Sequence, residues 1–240
     1  ASAIAFSVSD SGLVLGTYRD LANVSKTWVM RADGTFEYPV LPGTGRVINN
    51  AGQIGGSFVD TNNANAATPY VATPIPPLPE PIAFTFESVM ATLPGATETL
   101  LSDIDNGGRI VGRVKDALGE SQGLLIDGTN QSTFNITGTT ATFPGGLNSL
   151  GVLAGFYRNA TNPAIQHGFL RDNNGLVTTI DGAVPGTTYV WRVNDRGEAN
   201  GYWFEDAPFF IRSFRRDTNG TLTTFVYPGS PVGTVTRGMN

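Results

Sequence analysis

Apolar residues along this chain come in short bursts, alternate with polar residues inside each burst, and are cut by Gly, Asn, Asp and Pro. The alternation is clearest in "TTYVWRVN" at residues 187–194. Period-two patterning between turn residues predicts half-buried strands rather than helices. The bursts also recur in a fixed order. Each repeat carries a phrase built from an aliphatic residue, two small polar residues, any residue, Gly, three residues and a second Gly. It occurs as "VSDSGLVLG" from Val8, "INNAGQIGG" from Ile48, "IDNGGRIVG" from Ile104, "LNSLGVLAG" from Leu147 and "VNDRGEANG" from Val193. Small polar residues open a type I turn by bonding nearby backbone, and a following left-handed Gly closes a bulged hairpin. The second Gly falls inside the outgoing strand, where a bulge or a close backbone approach accounts for it better than a ligand.

Two further elements follow each phrase. "TWVMRADGTFEY", "GLLIDGTNQSTF", "GFLRDNNGLVTTI" and "SFRRDTNGTLTTF" each read as strand, turn, strand, while the second copy carries "PIPPLPEP" between its two strands. Proline cannot donate to a ladder, so that hairpin belongs at a sheet edge. An apolar residue with Pro-Gly comes next, at Leu41, Leu93, Phe143, Val184 and Tyr227. The alternating stretch after it leads into the next phrase. The repeat starts lie at 8, 48, 104, 147 and 193, and four short strands per repeat of about 45 residues is the measure of a β-propeller blade. The expectation is a single all-β domain over residues 1–240, a five-bladed β-propeller of four-stranded antiparallel blades. Blade boundaries are expected at roughly 1–47, 48–103, 104–146, 147–192 and 193–240. A β-solenoid, with shorter and more uniform coils, is the alternative. A two-sheet sandwich gives no reason for fivefold self-similarity.

The phrases "INNAGQIGGSF" and "IDNGGRIVGRV", with "HGFL" at His167–Leu170 and "TTID" at Thr178–Asp181, resemble the probable extracellular repeat of the HAF family. That family occurs in exported bacterial proteins, some with a PEP-CTERM sorting signal. The resemblance covers essentially the whole chain, although "KTWVM" and "TPYVA" stand in place of "HGFL" in the first two copies. It implies an extracellular or cell-surface location and a β-rich repeat fold. It carries over no catalytic residues.

Composition fits the same picture: 30 Gly and 15 Pro with only 15% charged residues suit short strands and tight turns. The net charge of −5 argues against a nucleic-acid partner, which needs a basic surface. No apolar run approaches the roughly 18–20 residues of a membrane span, so no membrane insertion is expected. The absence of Cys removes disulfides and thiol chemistry. The opening "ASAIAF" suits a mature start after signal removal.

Candidate chemistry is sparse. His167, the one histidine, would have to anchor any Ser-His-Asp triad, yet Gln122 fills its repeat position in the third copy. Asp10, Asp103, Asp105 and Asp195 lie at turns that recur around the ring, so two of them could converge as a glycosidase-like carboxylate pair. Turn formation is the plainer role, because Asn or Ser fills the equivalent places. Asp103 and Asp105 in "SDIDNGG" faintly suggest a calcium loop but lack its downstream Glu. Among the aromatics, Tyr202, Trp203 and Tyr157 are the candidates for exposed ligand contact, whereas Trp191 alternates as inter-blade core. No cofactor is implied.

The ends raise a separate question. Ala3, Ile4, Ala5 and Phe6 read as part of a first strand, yet the tail Gly233, Thr234, Val235, Thr236, Arg237, Gly238, Met239 and Asn240 also has that form. One such strand is surplus to five blades. It can close the ring, belong to a longer repeat array, or add to a neighbouring copy's sheet. The expected role is therefore non-enzymatic: extracellular structural assembly or adhesion, self-associating through a terminal strand. The alternative is a multivalent lectin for extracellular glycans with one shallow pocket per blade. A glycoside hydrolase comes third.

Overall fold

The computed structural model describes residues 3–60, 66–75, 84–205 and 210–239. Twenty strands among these residues form five separate four-stranded antiparallel sheets, each in simple meander order. Blade one holds β1 (Ala3–Val8), β2 (Val14–Arg19), β3 (Ser25–Met30) and β4 (Phe36–Glu37). Blade two holds β5 (Thr44–Ile48), β6 (Ile54–Asp60), β7 (Ala66–Pro74) and β8 (Phe84–Ser88). Blade three holds β9 (Glu98–Ile104), β10 (Ile110–Lys115), β11 (Ser121–Asp127) and β12 (Asn130–Phe134). Blade four holds β13 (Thr139–Leu147), β14 (Leu153–Asn159), β15 (Gln166–Arg171) and β16 (Val177–Ile180). Blade five holds β17 (Thr188–Val193), β18 (Ala199–Glu205), β19 (Phe210–Arg216) and β20 (Leu222–Phe225). The five first strands line a common axis, so the molecule is a five-bladed β-propeller and not a solenoid.

Each blade begins one strand before the repeated phrase, which is the β1–β2 type hairpin. Blade two thus starts at Thr44 rather than Ile48, and blade five at Thr188 rather than Val193. Counting from the most recognisable phrase shifts the boundaries, because the strand preceding it is the least alike between copies. The proline-rich stretch lies largely outside the described residues; β8, the strand that follows it, is the outermost of blade two.

Stability comes from between the blades. Leu15 and Val29 of blade one pack on Ile48, Ile54 and Tyr70 of blade two. Val47 and Val71 meet Ile104, Val114 and Leu124 of blade three. Val111 meets Leu153 and Phe169 of blade four, and Ala154 and Ile180 meet Val190, Trp203 and Phe214 of blade five. Blades two, three and four are apolar on both faces because a neighbour covers each one, and each large side chain so buried stabilises by about 1.5–3 kcal/mol.

The seam between blades five and one is occupied by the tail. Gly233 bridges Ile211 of β19 in parallel, as Thr187 bridges Gln166 of β15. The tail therefore takes the place of the first strand of a next blade. Ser213 Oγ donates to Thr234 O (2.6 Å), Thr236 Oγ1 to Gly201 O (2.9 Å) and Asn200 Nδ2 to Gly238 O (2.8 Å). The surplus strand is docked within its own chain, and Ala3, Ile4 and Ala5 pair with β2 in blade one. Asn240 lies outside the described residues.

Candidate functional site

The repeated phrase makes the same hairpin five times. The left-handed Gly12, Gly52, Gly108, Gly151 and Gly197 have φ between 75° and 83°, a region that costs a Cβ-bearing residue. The first small polar residue caps its own turn. Ser9 Oγ accepts from Leu13 N (3.1 Å), and the Oδ1 atoms of Asn49, Asp105, Asn148 and Asn194 accept from Gln53, Arg109, Val152 and Glu198 N at 2.8–3.0 Å.

These turns gather at one end of the axis and bond to each other. Asn50 Nδ2 donates to Asp10 Oδ2 (2.8 Å), and Asn49 Nδ2 to Asp105 O (2.9 Å). Arg109 Nη2 donates to Ser149 O (2.9 Å), Asn148 Nδ2 to Asn194 O (2.9 Å) and Ser149 N to Asp195 Oδ1 (2.7 Å). Blades one to five are thereby clasped in succession, one to two, two to three, three to four and four to five, around a polar cavity of about 80 Å³. The phrase is more than a turn signal: it is an axial clasp.

The second Gly of the phrase shapes the other part of the axis. Every first strand carries a β-bulge at one repeat position, leaving Phe6, Arg46, Ser102, Gly145 and Trp191 as the extra, unpaired residues. The second Gly stands beside each bulge. A Cβ on Gly16, Gly56, Gly112, Gly155 or Gly201 would lie 2.0–2.4 Å from the carbonyl oxygen two residues before the bulge. Glycine is required there because a bulge folds the backbone of its own strand toward the partner.

The five bulge residues line a second axial cavity of about 360 Å³. Ser102 and Gly145 leave the space, while Phe6 and Trp191 supply aromatic walls, continued by Phe143 and Phe156 stacked at 4.7 Å. The other large contribution is cationic: Arg46, Arg113, Arg192 and Arg237 all line it, and among the described residues no carboxylate does. Arg46 lies over Phe6 (5.3 Å), Arg113 over Phe143 (5.2 Å) and Arg237 over Trp191 (5.2 Å). Burial pushes the Arg113 guanidinium below its ordinary pKa, opposed by Glu98 and reinforced by Arg158. Arg192 borders both cavities; it donates to Ser102 O (3.3 Å) and lies 3.8 Å from Asp103. Burial raises the Asp103 carboxyl pKa, and Arg192 beside it pulls the other way.

The residues singled out from sequence distribute unevenly. Trp203 and Tyr202 are 3% and 8% exposed, so the expectation of an exposed pair is overturned. Trp203 packs with Phe214 beneath Gly182 in the core between blades four and five. Tyr202 stands behind the cavity wall, its ring 6.4 Å from Trp191. Tyr157 lies in blade four, bonded to Thr179 (3.1 Å) and beside His167, away from the axis. His167 Nδ1 in turn meets Asp181 Oδ1 at 2.9 Å. Trp191, expected in the core, is instead a cavity wall. Of the tail, Arg237 lines the wide cavity and Met239 the narrow one.

Asp10, Asp103, Asp105 and Asp195 do converge on the narrow cavity, but their oxygens hold the clasp. Asp195 Oδ2 accepts from Ser149 Oγ (2.9 Å), and Asp103 Oδ2 from Leu147 N (3.0 Å). Asp105 accepts from Gly107 N (2.9 Å) and Arg109 Nε (2.7 Å), so a calcium ion would have to displace a guanidinium. Among the described residues no group of three or more His, Asp or Glu is placed to hold a metal ion.

No protein-family model matches the chain, and no curated protein matches it in sequence. Solved structures match its shape. The chain is similar to the six-bladed β-propeller lectin of Aleuria aurantia, described with a fucose recognition mode, at TM-score 0.54 and 9% identity. That match covers 97% of this chain and 80% of the lectin. It is also similar to the β-propeller domain of the trilobed protease of Pyrococcus furiosus, described as having an open velcro topology. There the TM-score is 0.57 and the identity 8%, over 97% of this chain and 82% of that domain. Identities this low establish the propeller fold.

Proposed function

We propose that this protein is a non-enzymatic, carbohydrate-binding propeller whose site is the wide axial cavity. The observation that carries the reading is the bulge ring: five blades each turn one extra residue toward a shared space of about 360 Å³, within the size of small-ligand sites at about 300–1,000 Å³. Bulges recur where a protein re-aims a side chain for function. Aromatic faces beside hydrogen-bonding guanidinium groups suit a sugar, which presents apolar C–H patches and hydroxyls together. The Aleuria aurantia lectin gives a propeller precedent for fucose recognition. The resemblance of the repeats to the HAF family favours an extracellular setting. One axial site replaces the expected pocket in each blade.

A non-enzymatic role is favoured because the convergent carboxylates are committed to the clasp and stand at the narrow cavity. A glycan array followed by calorimetry tests the reading. Binding should weaken about tenfold or more in Trp191→Ala, as for loss of an aromatic anchor, with the circular dichroism spectrum unchanged. Absence of any glycan binding, or cleavage of the bound glycan, would overturn it.

A further inference from the structure

We infer that the wide axial cavity takes an oxyanion carried on a sugar ring, a uronate carboxylate or a sulfate ester, through Arg46, Arg113 and Arg237, while Arg192 beside them is held by Asp103 and the Gly145 and Ser102 carbonyls. The inference deepens the carbohydrate reading and rests on it. Its basis is a local reversal of charge. The chain has 20 Asp and Glu against 15 Lys and Arg, yet among the described residues four arginines and no acid line this one space. Elsewhere five arginines are matched with an acid: Arg31 with Glu37, Arg109 with Asp105, Arg212 with Glu205, and Arg196 and Arg215 with Glu198. Arg19, Arg158, Arg171 and Arg216 lie outside the cavity lining, so the cavity is set apart by gathering its arginines in one space.

Among the described residues, Arg192 is the one cavity arginine with a carboxylate within 4 Å, the buried Asp103. Glu98, the acid that acts on Arg113, is itself paired with Lys115. Arg46, Arg113 and Arg237 instead rest over aromatic rings, which hold a guanidinium in place without neutralising it. A guanidinium held by its face keeps its N–H edges for a ligand, and that edge matches a carboxylate or sulfate in two parallel bonds. Like charges gathered without counter-charges oppose one another, and an anion relieves that repulsion. A neutral sugar does not.

The position of these arginines supports the same conclusion. Arg46 is the bulge residue of blade two, and Arg237 sits at the corresponding position of the tail, two residues before Met239 as Arg46 is two before Ile48. Two of the six places facing the axis at this level therefore carry Arg, with Arg113 and Arg192 alongside. The tail, docked on blade five, thus supplies part of the site.

Calorimetry on the full chain, with glucuronate, its neutral methyl ester, glucose 6-sulfate and sodium sulfate as titrants, tests this. Glucuronate or glucose 6-sulfate should bind about tenfold or more tighter than the methyl ester. The preference should shrink as salt screens the exposed guanidinium groups, and whichever acidic sugar binds tighter identifies the oxyanion. A double variant, Arg46→Gln with Arg237→Gln, changes two exposed side chains and should keep the melting curve while losing most of the preference. Equal binding of glucuronate and its methyl ester would overturn the inference and leave the carbohydrate reading standing. Binding of sodium sulfate with no sugar bound, or no binding by any titrant, would overturn both. An acidic-sugar preference that survives in the double variant would remove these arginines from the site.

Discussion

The two cavities on the axis are built by the same five strands, only a few residues apart, and they treat sequence in opposite ways. At the narrow end each copy repeats Ser, Asn or Asp and then Gly, because each turn is capped by its own first polar residue in the same way. At the bulge ring the copies differ: Phe6, Arg46, Ser102, Gly145 and Trp191 occupy one structural position. Nothing in the ring's own stability fixes those side chains, since a bulge residue leaves the ladder. Repetition therefore marks what holds the propeller together, and divergence within the repeat marks the proposed binding site.

The sharpest contrast is between two tryptophans twelve residues apart in sequence. Trp203→Ala should destabilise by about 3–5 kcal/mol, the cost of emptying a packed aromatic site, read from urea denaturation midpoints. Trp191→Ala should cost less stability than that and instead weaken ligand binding about tenfold or more. Similar stability losses for the two would break the distinction between core and cavity wall. Gly112→Ala should cost about 1–3 kcal/mol, because its Cβ would lie 2.1 Å from Leu100 O. It should also weaken ligand binding by shifting the Ser102 bulge.

At the clasp, Asn148→Ala removes the caps to Leu150 N and Val152 N and the bond to Asn194 O. A loss of about 1–2 kcal/mol is expected with ligand affinity unchanged; a matching loss of affinity would show that the two ends are not separable. The smallest effect is in acid. Hydrogen bonds from Asn194, Arg215 and Arg196 lower the Glu198 carboxyl pKa to about 2. A carboxylate with a depressed folded pKa contributes stability above its unfolded value near 4.3–4.5, and that contribution is lost as pH falls toward about 2. Glu198→Gln should flatten the denaturation midpoint across that window, and an unchanged slope would place the acid sensitivity elsewhere.

Much of the architecture was legible along the chain. The five phrases, their left-handed glycines and the four bursts per repeat led to the propeller, and the surplus first strand was visible in the tail. The roles of the two tryptophans were inverted for a specific reason. Alternation places every second residue of a strand on one face, but a bulge inserts one residue and reverses the parity beyond it. Val190 and Val193 are both core although three apart, and Trp191 is the residue that breaks the phase. That odd spacing, together with Gly201 opposite, is the signal by which the bulge could have been read. Trp203 misled in the other direction, because in a propeller both faces of β18 are covered and proximity to polar residues says little about exposure.

What the sequence by itself determined is the repeating unit: turn, strand length and glycine placement are local, set by backbone conformation and by caps within a few residues. What only the tertiary structure decided is the content of the axis. Arg46, Arg113, Arg192 and Arg237 come from four different segments, and nothing local relates them. They meet because the blades are arranged around one line and the tail returns to it, which brings distant positions of like register into one space.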